Sequence, residues 1–194
     1  SRGVMRNYRK NTIIIAENDP GDTMFVLVQG RVKAYSSDVD GRELTYGTID
    51  AGDYFGEMSL DGGPRSASVI TLEPCVCAVI DRAEVRAYLA EEPDFAMTLI
   101  NEVIRRARAA TESARSMALL NVYGRVVALL ESYGGPAKAG APVLIFPVTH
   151  QDLASRVGAS REMVSRLLKD LEKGEYVKLG VKRITLLKKL PARW

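Results

Sequence analysis

Glu57 and Arg65 stand in one short stretch, FGEMSLDGGPRSASV, residues 55–69. A carboxylate accepts hydrogen bonds from hydroxyl groups and repels phosphate. A guanidinium does the reverse and grips an anion through a charge-assisted fork. Gly56 precedes the pair, Gly62-Gly63-Pro64 bends the chain between them, and Ser66 follows. A short helix starting near Glu57 would offer its free N–H groups to an anion. The set suits a ligand that is both hydroxylated and anionic, with Glu57 toward a sugar hydroxyl and Arg65 toward a phosphate. A salt-bridged turn is the alternative, and either way the loop is expected near the surface.

A second set lies in SREMVSRLLKDL, residues 160–171. Ser160 reads as the N-cap of a helix. Met163, Val164, Leu167, Leu168 and Leu171 then form the inward face. Arg161, Glu162, Ser165, Arg166 and Lys169 fall on the opposite side. Arginine bonds guanine O6 and N7 together, and glutamate accepts from cytosine N4. This is the equipment of a helix that reads the major groove. A solvated amphipathic face is the alternative.

Catalytic chemistry finds no comparable footing. The one histidine, His150, stands far along the chain from the first set, which rules out a Ser-His-Asp arrangement there. No phosphate-binding GxxxxGK[ST] loop occurs. Cys75 and Cys77 share one strand face, and two thiols are too few for a disulfide framework or a four-thiolate cluster. Buried packing is the expected role for both, no metal is expected, and a reducing cytoplasm is the natural compartment.

The elements that must position these residues follow from the pattern. The chain has 194 residues and is 46% hydrophobic, enough for one large domain or two small ones. Short apolar runs at 12–16, 24–35, 43–49, 67–72 and 75–80 alternate with Gly, Pro and Asp turns, which suggests an antiparallel barrel or roll. Residues 82–90 read as a short helix. From Pro93 no Gly or Pro appears until Gly124, giving a helix of about 45 Å. Leu99, Val103, Arg106, Ala110, Ala114 and Met117 recur at helical spacing, a stripe for a second copy of the chain or for its own barrel. Asn121 caps a further helix over 122–133.

Residues 149–177 give two helices about a tight turn at Gly158, with Thr149 and Asp152 near a capping box. Residues 178–189 follow as a hairpin wing turning near Gly180. Charge is divided in step. Residues 1–92 carry 10 basic and 15 acidic side chains, residues 93–136 carry 5 and 4, and residues 137–194 carry 12 and 5. The basic last third implies a polyanionic partner for that end alone. No apolar run reaches 18 residues, so no membrane association is expected.

The whole chain resembles the catabolite activator protein (cAMP receptor protein) family of bacterial transcription regulators. The resemblance rests on FGEMSLDGGPRSASV, the long helix, and the helix-turn-helix ending in SREMVSR. It implies an α+β fold: an antiparallel, jelly-roll-like cyclic-nucleotide-binding β-roll over 1–92, a dimerisation helix over 93–120, and a winged helix-turn-helix over 121–194. It implies a homodimer that binds double-stranded DNA, contacts RNA polymerase and is gated by cAMP as allosteric ligand. In the cassette, Glu57 would take the ribose 2′-hydroxyl and Arg65 the cyclic phosphate, with Gly56 and Ser66 adding close contacts. Thr111 would reach the purine across the dimer. Ala110 stands where the family has a threonine, which places base selectivity in question. Arg161, Glu162 and Arg166 would read a TGTGA-like half-site. Thr149, His150, Gln151 and Ser160 would lie nearer the phosphates, and Lys182 in the wing would do the same. Haem and iron–sulfur sensing, known in branches of the family, lack their ligands here. Other ligands such as cyclic di-GMP, constitutive binding with an empty pocket, and a helix-turn-helix used for protein contact remain the competing readings.

Overall fold

The computed structural model describes residues 3–134, 143–145 and 148–191. It divides into two compact units, Ser1–Asp38 with Thr45–Arg108, and Val39–Leu44 with Ala109–Trp194. The class is α+β, an antiparallel sheet domain ahead of helices and a winged helix-turn-helix.

Among the described residues, eight strands build the first part: β1 (Val4–Tyr8), β2 (Ile13–Ile15), β3 (Thr23–Gln29), β4 (Arg31–Ser37), β5 (Glu43–Asp50), β6 (Tyr54–Phe55), β7 (Ser68–Thr71) and β8 (Cys75–Asp81). They form two four-stranded sheets, ordered β1-β8-β3-β6 and β2-β7-β4-β5. The run read as one stretch over 24–35 is two strands, because Gly30 turns the chain in the left-handed region with φ 93°. Period-two alternation sends Phe25 and Leu27, Val32, Val69, Cys75 and Cys77 inward, all buried. Phe25 and Phe55 stack at 5.0 Å, and each such buried side chain contributes about 1.5–3 kcal/mol. Both cysteines are free and buried. Burial pushes the Cys77 thiol up to about 11, so the packing role expected of these residues is what the core gives them.

Between β6 and β7 lies a 3-10 helix, Glu57–Asp61. After β8, Asp81 caps α1 (Arg82–Glu91) by accepting from the Glu84 amide. The next helix, α2 (Pro93–Leu119), is continuous, and none of its residues is buried within the single chain. Leu99 packs with Met24, Tyr54 and Val85 in a small cluster on the first unit. The division between units falls inside α2, after Arg108.

The second unit holds α3 (Val122–Gly134), β9 (Val143–Ile145), α4 (His150–Val157), α5 (Arg161–Lys173), β10 (Val177–Gly180) and β11 (Arg183–Leu186). Its sheet order is β10-β11-β9. Val126, Leu130, Leu153, Leu168, Leu171 and Ile184 close its core. Gly158, in the left-handed conformation, ends α4 and lets α5 begin three residues later at a new angle.

Candidate functional site

The cassette is built around an inward arginine. Gly56 enters it at φ 82° and Gly62 leaves it at φ 102°, backbone that side-chain-bearing residues rarely adopt. Arg65 is only 7% exposed. Its Nη1 donates to the carbonyls of Thr23 at 2.7 Å and Gly56 at 2.9 Å, and to Ser59 Oγ at 2.7 Å. Its Nη2 donates to Thr23 Oγ1 at 2.8 Å. Burial pulls the Arg65 pKa down, and Asp22 and Glu57 oppose that. The expectation of a surface loop fails for this side chain. A guanidinium has five donors, and here several are spent on the protein's own acceptors. Gly21 makes the arrangement possible, since a Cβ added there would overlap Nε and Cζ of Arg65.

Glu57 is held from α2. Its side chain is 8% exposed and lies 3.0 Å from Arg106 Nη1. Arg106 also donates to Glu102 at 2.8 Å and to the Tyr54 carbonyl at 2.6 Å, and stands over the Tyr54 ring at 5.0 Å. The Tyr54 hydroxyl donates to the Leu99 carbonyl at 3.0 Å, and burial pushes its pKa up to about 12. The pairing with Arg106 leaves Glu57 oxygen lone pairs to offer a hydroxyl. Ser66 is exposed, and its Oγ approaches Met58 Sδ at 3.1 Å. A groove of about 400 Å³ runs beside the cassette, lined by Glu57, Met58, Leu60, Val85, Leu89 and Val103 among others. Thr111 lies on α2, exposed, within the second unit.

The second set gathers on α4 and α5. Thr149 Oγ1 accepts from the Asp152 amide and Asp152 returns a bond to the Thr149 amide, a complete capping box. Ser160 Oγ accepts from the Met163 amide at 3.2 Å. Arg161, Glu162, Arg166 and Lys169 are exposed together along α5, while Gln151 is exposed at the start of α4. Ser165 is half-buried, and its Oγ meets His150 Nδ1 at 2.9 Å; the structure joins these two residues rather than leaving Ser165 toward solvent. Met163, expected inward, is 40% exposed, because it lies one position, about 100°, off the buried line of Val164, Leu168 and Leu171. Lys182 is exposed in the two-residue turn joining β10 and β11, one step beyond the expected turn at Gly180, and has φ 51°.

Comparison with known proteins fits this layout. Residues 5–92 match the cyclic nucleotide-binding domain, and residues 124–190 match the Crp-like helix-turn-helix domain. The cAMP-activated global transcriptional regulator Vfr of Pseudomonas aeruginosa is 34% identical over 174 residues, covering 86% of this chain and 81% of Vfr. The chain belongs to the catabolite activator protein family. A further member, the CRP-like cAMP-activated global transcriptional regulator of Mycobacterium tuberculosis, is 29% identical over 93% of this chain and 82% of its own. Among solved structures, the c-di-GMP responsive global regulator CLP of Xanthomonas campestris matches with a TM-score of 0.83 at 26% identity, covering 96% of this chain and 95% of that one. As a member of the catabolite activator protein family, this chain is a DNA-binding transcription regulator with a cyclic nucleotide-binding domain, and it is not an enzyme.

Within that family frame, three residues at the cassette were not picked out by the sequence reading. Arg106 appeared there only as one step of a helical stripe. Its charge among apolar neighbours at 99 and 103 was the available signal, since a cation on an inward stripe implies a carboxylate opposite. In the sequence Gly21 looks like an ordinary turn residue, and Tyr54 carries no mark at all. No helix among the described residues is long and apolar enough to cross a membrane.

Proposed function

We propose that this chain is a homodimeric regulator switched by a cyclic nucleotide, cAMP in the first instance, and that it reads a TGTGA-like palindrome. The observation that carries the reading is the cassette: Gly56, Glu57, Arg65 and Ser66 sit on one loop with Glu57 already fixed from α2 by Arg106. Glu57 would take the ribose hydroxyl. Arg65 would take the phosphate with the edge its carbonyl partners leave. Ser66 is exposed beside them. On the other unit, Arg161, Glu162 and Arg166 present a reading face from a capped helix, and Thr149, Gln151, Ser160, Lys169 and Lys182 supply contacts to the backbone.

The second copy would dock on α2. Met97, Ile100, Ile104, Ala107, Thr111, Ala114 and Ala118 recur at alternating spacings of three and four, and each is exposed in the single chain. That is a heptad seam. It is rotated from the stripe at Leu99, Val103 and Arg106, which faces the first unit. The division into a roll over 1–92, a dimerisation helix over 93–120 and a DNA-binding domain over 121–194, with RNA polymerase as a further partner, belongs to the same reading.

A cyclic dinucleotide is the second reading, favoured by the similarity to a c-di-GMP responsive regulator and by Ala110 in place of a base-bonding threonine. Titration calorimetry of nucleotide-stripped protein with cAMP and with cyclic di-GMP, followed by gel shifts on a TGTGA palindrome, decides between them. Heat with cAMP and a tighter shift support the first reading. No heat with either ligand and unchanged DNA affinity leave the family's ligand-free mode.

A further inference from the structure

His150 opens α4, immediately after its Thr149 cap. Its Nδ1 lies 2.9 Å from Ser165 Oγ on α5, so its ring is fixed against the helix proposed to read DNA. The charged groups facing it from α5 are Arg161 and Lys169, both cations. On α4 the nearest carboxylate, Asp152, is occupied with the Thr149 amide and hydroxyl at 3.0 and 2.6 Å. From α3, Arg125 donates to the Val157 and Leu120 carbonyls, and Tyr133 meets Arg156. Burial first, then the two cations, hold the imidazole below its ordinary 6.5. In the free protein near neutral pH the ring is therefore uncharged.

We propose that His150 is a proton-linked phosphate contact: when DNA docks, the ring takes a proton from solvent, and the imidazolium donates Nδ1–H to Ser165 and Nε2–H to a backbone phosphate. The inference rests on the DNA-binding reading of α4 and α5. Its physical basis is a change of sign in the local field. Arg161 and Lys169 repel the second proton while solvent surrounds them. A phosphodiester brought against the same face neutralises them and adds an acceptor that favours the charged ring. Arginine or lysine at position 150 would be charged in both states and give no such dependence. A histidine makes grip on DNA strengthen as pH falls, whatever the base sequence.

The chain has a single histidine, so its ring can be followed directly. NMR of histidine-labelled full-length protein is recorded from pH 5 to 8.5, alone and with saturating generic duplex DNA at low salt, with fluorescence anisotropy of the duplex in parallel. The expected result is a free pKa below 6.5 that rises by about 1 unit or more on DNA. Affinity then rises toward low pH, by up to about tenfold per pH unit for each histidine between the two values. In His150→Gln that slope is lost. A ring pKa unmoved or lowered by saturating DNA overturns the proposal, as does an unchanged slope in His150→Gln. Absence of binding to any duplex at any pH overturns the DNA-binding reading itself.

Discussion

Arg106 of the long helix reaches the cassette and stands 3.0 Å from Glu57, so the carboxylate proposed to meet the ligand is held by the element that also carries the proposed dimer seam. A ligand that bonds Glu57 competes with or reinforces that pair, and either outcome acts on α2. Binding works as a switch only if the ligand prefers one arrangement of such an element.

Arg106→Ala should therefore weaken nucleotide binding and cost stability together. Glu57 is nearly buried, and leaving it without its cation costs about 1–3 kcal/mol. Urea denaturation and calorimetric titration measure the two effects. The double variant Glu57→Gln with Arg106→Ala should recover part of the stability and none of the affinity. Full stability in Arg106→Ala would show that the pair does not hold the cassette.

Arg65→Leu should cost both stability and phosphate binding. The sequence alone suggests a surface loop and an intact fold, whereas the structure has Arg65 satisfying two carbonyls and two hydroxyls from inside. Leaving such acceptors unpaired costs about 1–3 kcal/mol. Gly21→Ala should lose a similar amount, about 1–3 kcal/mol, by driving a methyl group into the same guanidinium. Thermal melts of both variants test this, and a Gly21→Ala protein as stable as the parent would refute the packing argument.

These two variants mark where sequence reasoning stops. The strands, the capped helices and the exposed arginines of α5 follow local rules, because alternation, N-caps and turn glycines act over a few residues. Gly21 and Arg65, or Arg106 and Glu57, are joined only by the way the sheets close, across gaps of 44 and 49 residues. The α2 stripe shows the same limit. Helical spacing shows that α2 has sticky faces, but two adjacent stripes satisfy it, and only the packing of Leu99 tells which one is already used.

Acid should loosen α2 through Glu102. The hydrogen bond from Arg105, opposed by burial and then helped by Arg106, holds its carboxyl down to about 2, against an ordinary 4.5. A depressed folded pKa means the stabilisation is complete above 4.5 and disappears as pH falls toward 2. Glu102→Gln should be less stable than the parent at pH 6, and the gap should close steadily below pH 4.5. Denaturant midpoints along that series check it, and a constant gap would mean the carboxyl titrates normally.

Ile104→Glu should separate the proposed dimer. Ile104 is 44% exposed in the single chain and lies mid-seam between Ile100 and Ala107. A carboxylate there would face its own copy across a two-fold axis, where like charges and lost apolar contact both oppose association. Sedimentation should give monomers, with specific DNA binding lost and the fold retained by circular dichroism. Leu99→Glu, on the face turned to the first unit, should instead destabilise the fold.

Substitutions in α5 and in the wing should separate reading from gripping. Arg161 and Arg166 are exposed on the face proposed to enter the major groove, so each change to alanine should cost roughly 1–3 kcal/mol on the best site and relax the preference for guanine there. Lys182 stands outside that helix, at the wing turn, and should contribute charge without base preference. Lys182→Gly is the informative change. Lys182 occupies the left-handed region at φ 51°, which costs a side-chain-bearing residue about 1 kcal/mol that glycine avoids. The variant should therefore melt slightly higher while binding all duplexes more weakly, with the salt dependence shallower by about one counterion for each wing on the DNA. Competition binding on matched and scrambled duplexes at several salt concentrations separates the cases. A change of site preference in Lys182→Gly, or none in Arg161→Ala, would reverse the roles assigned to helix and wing.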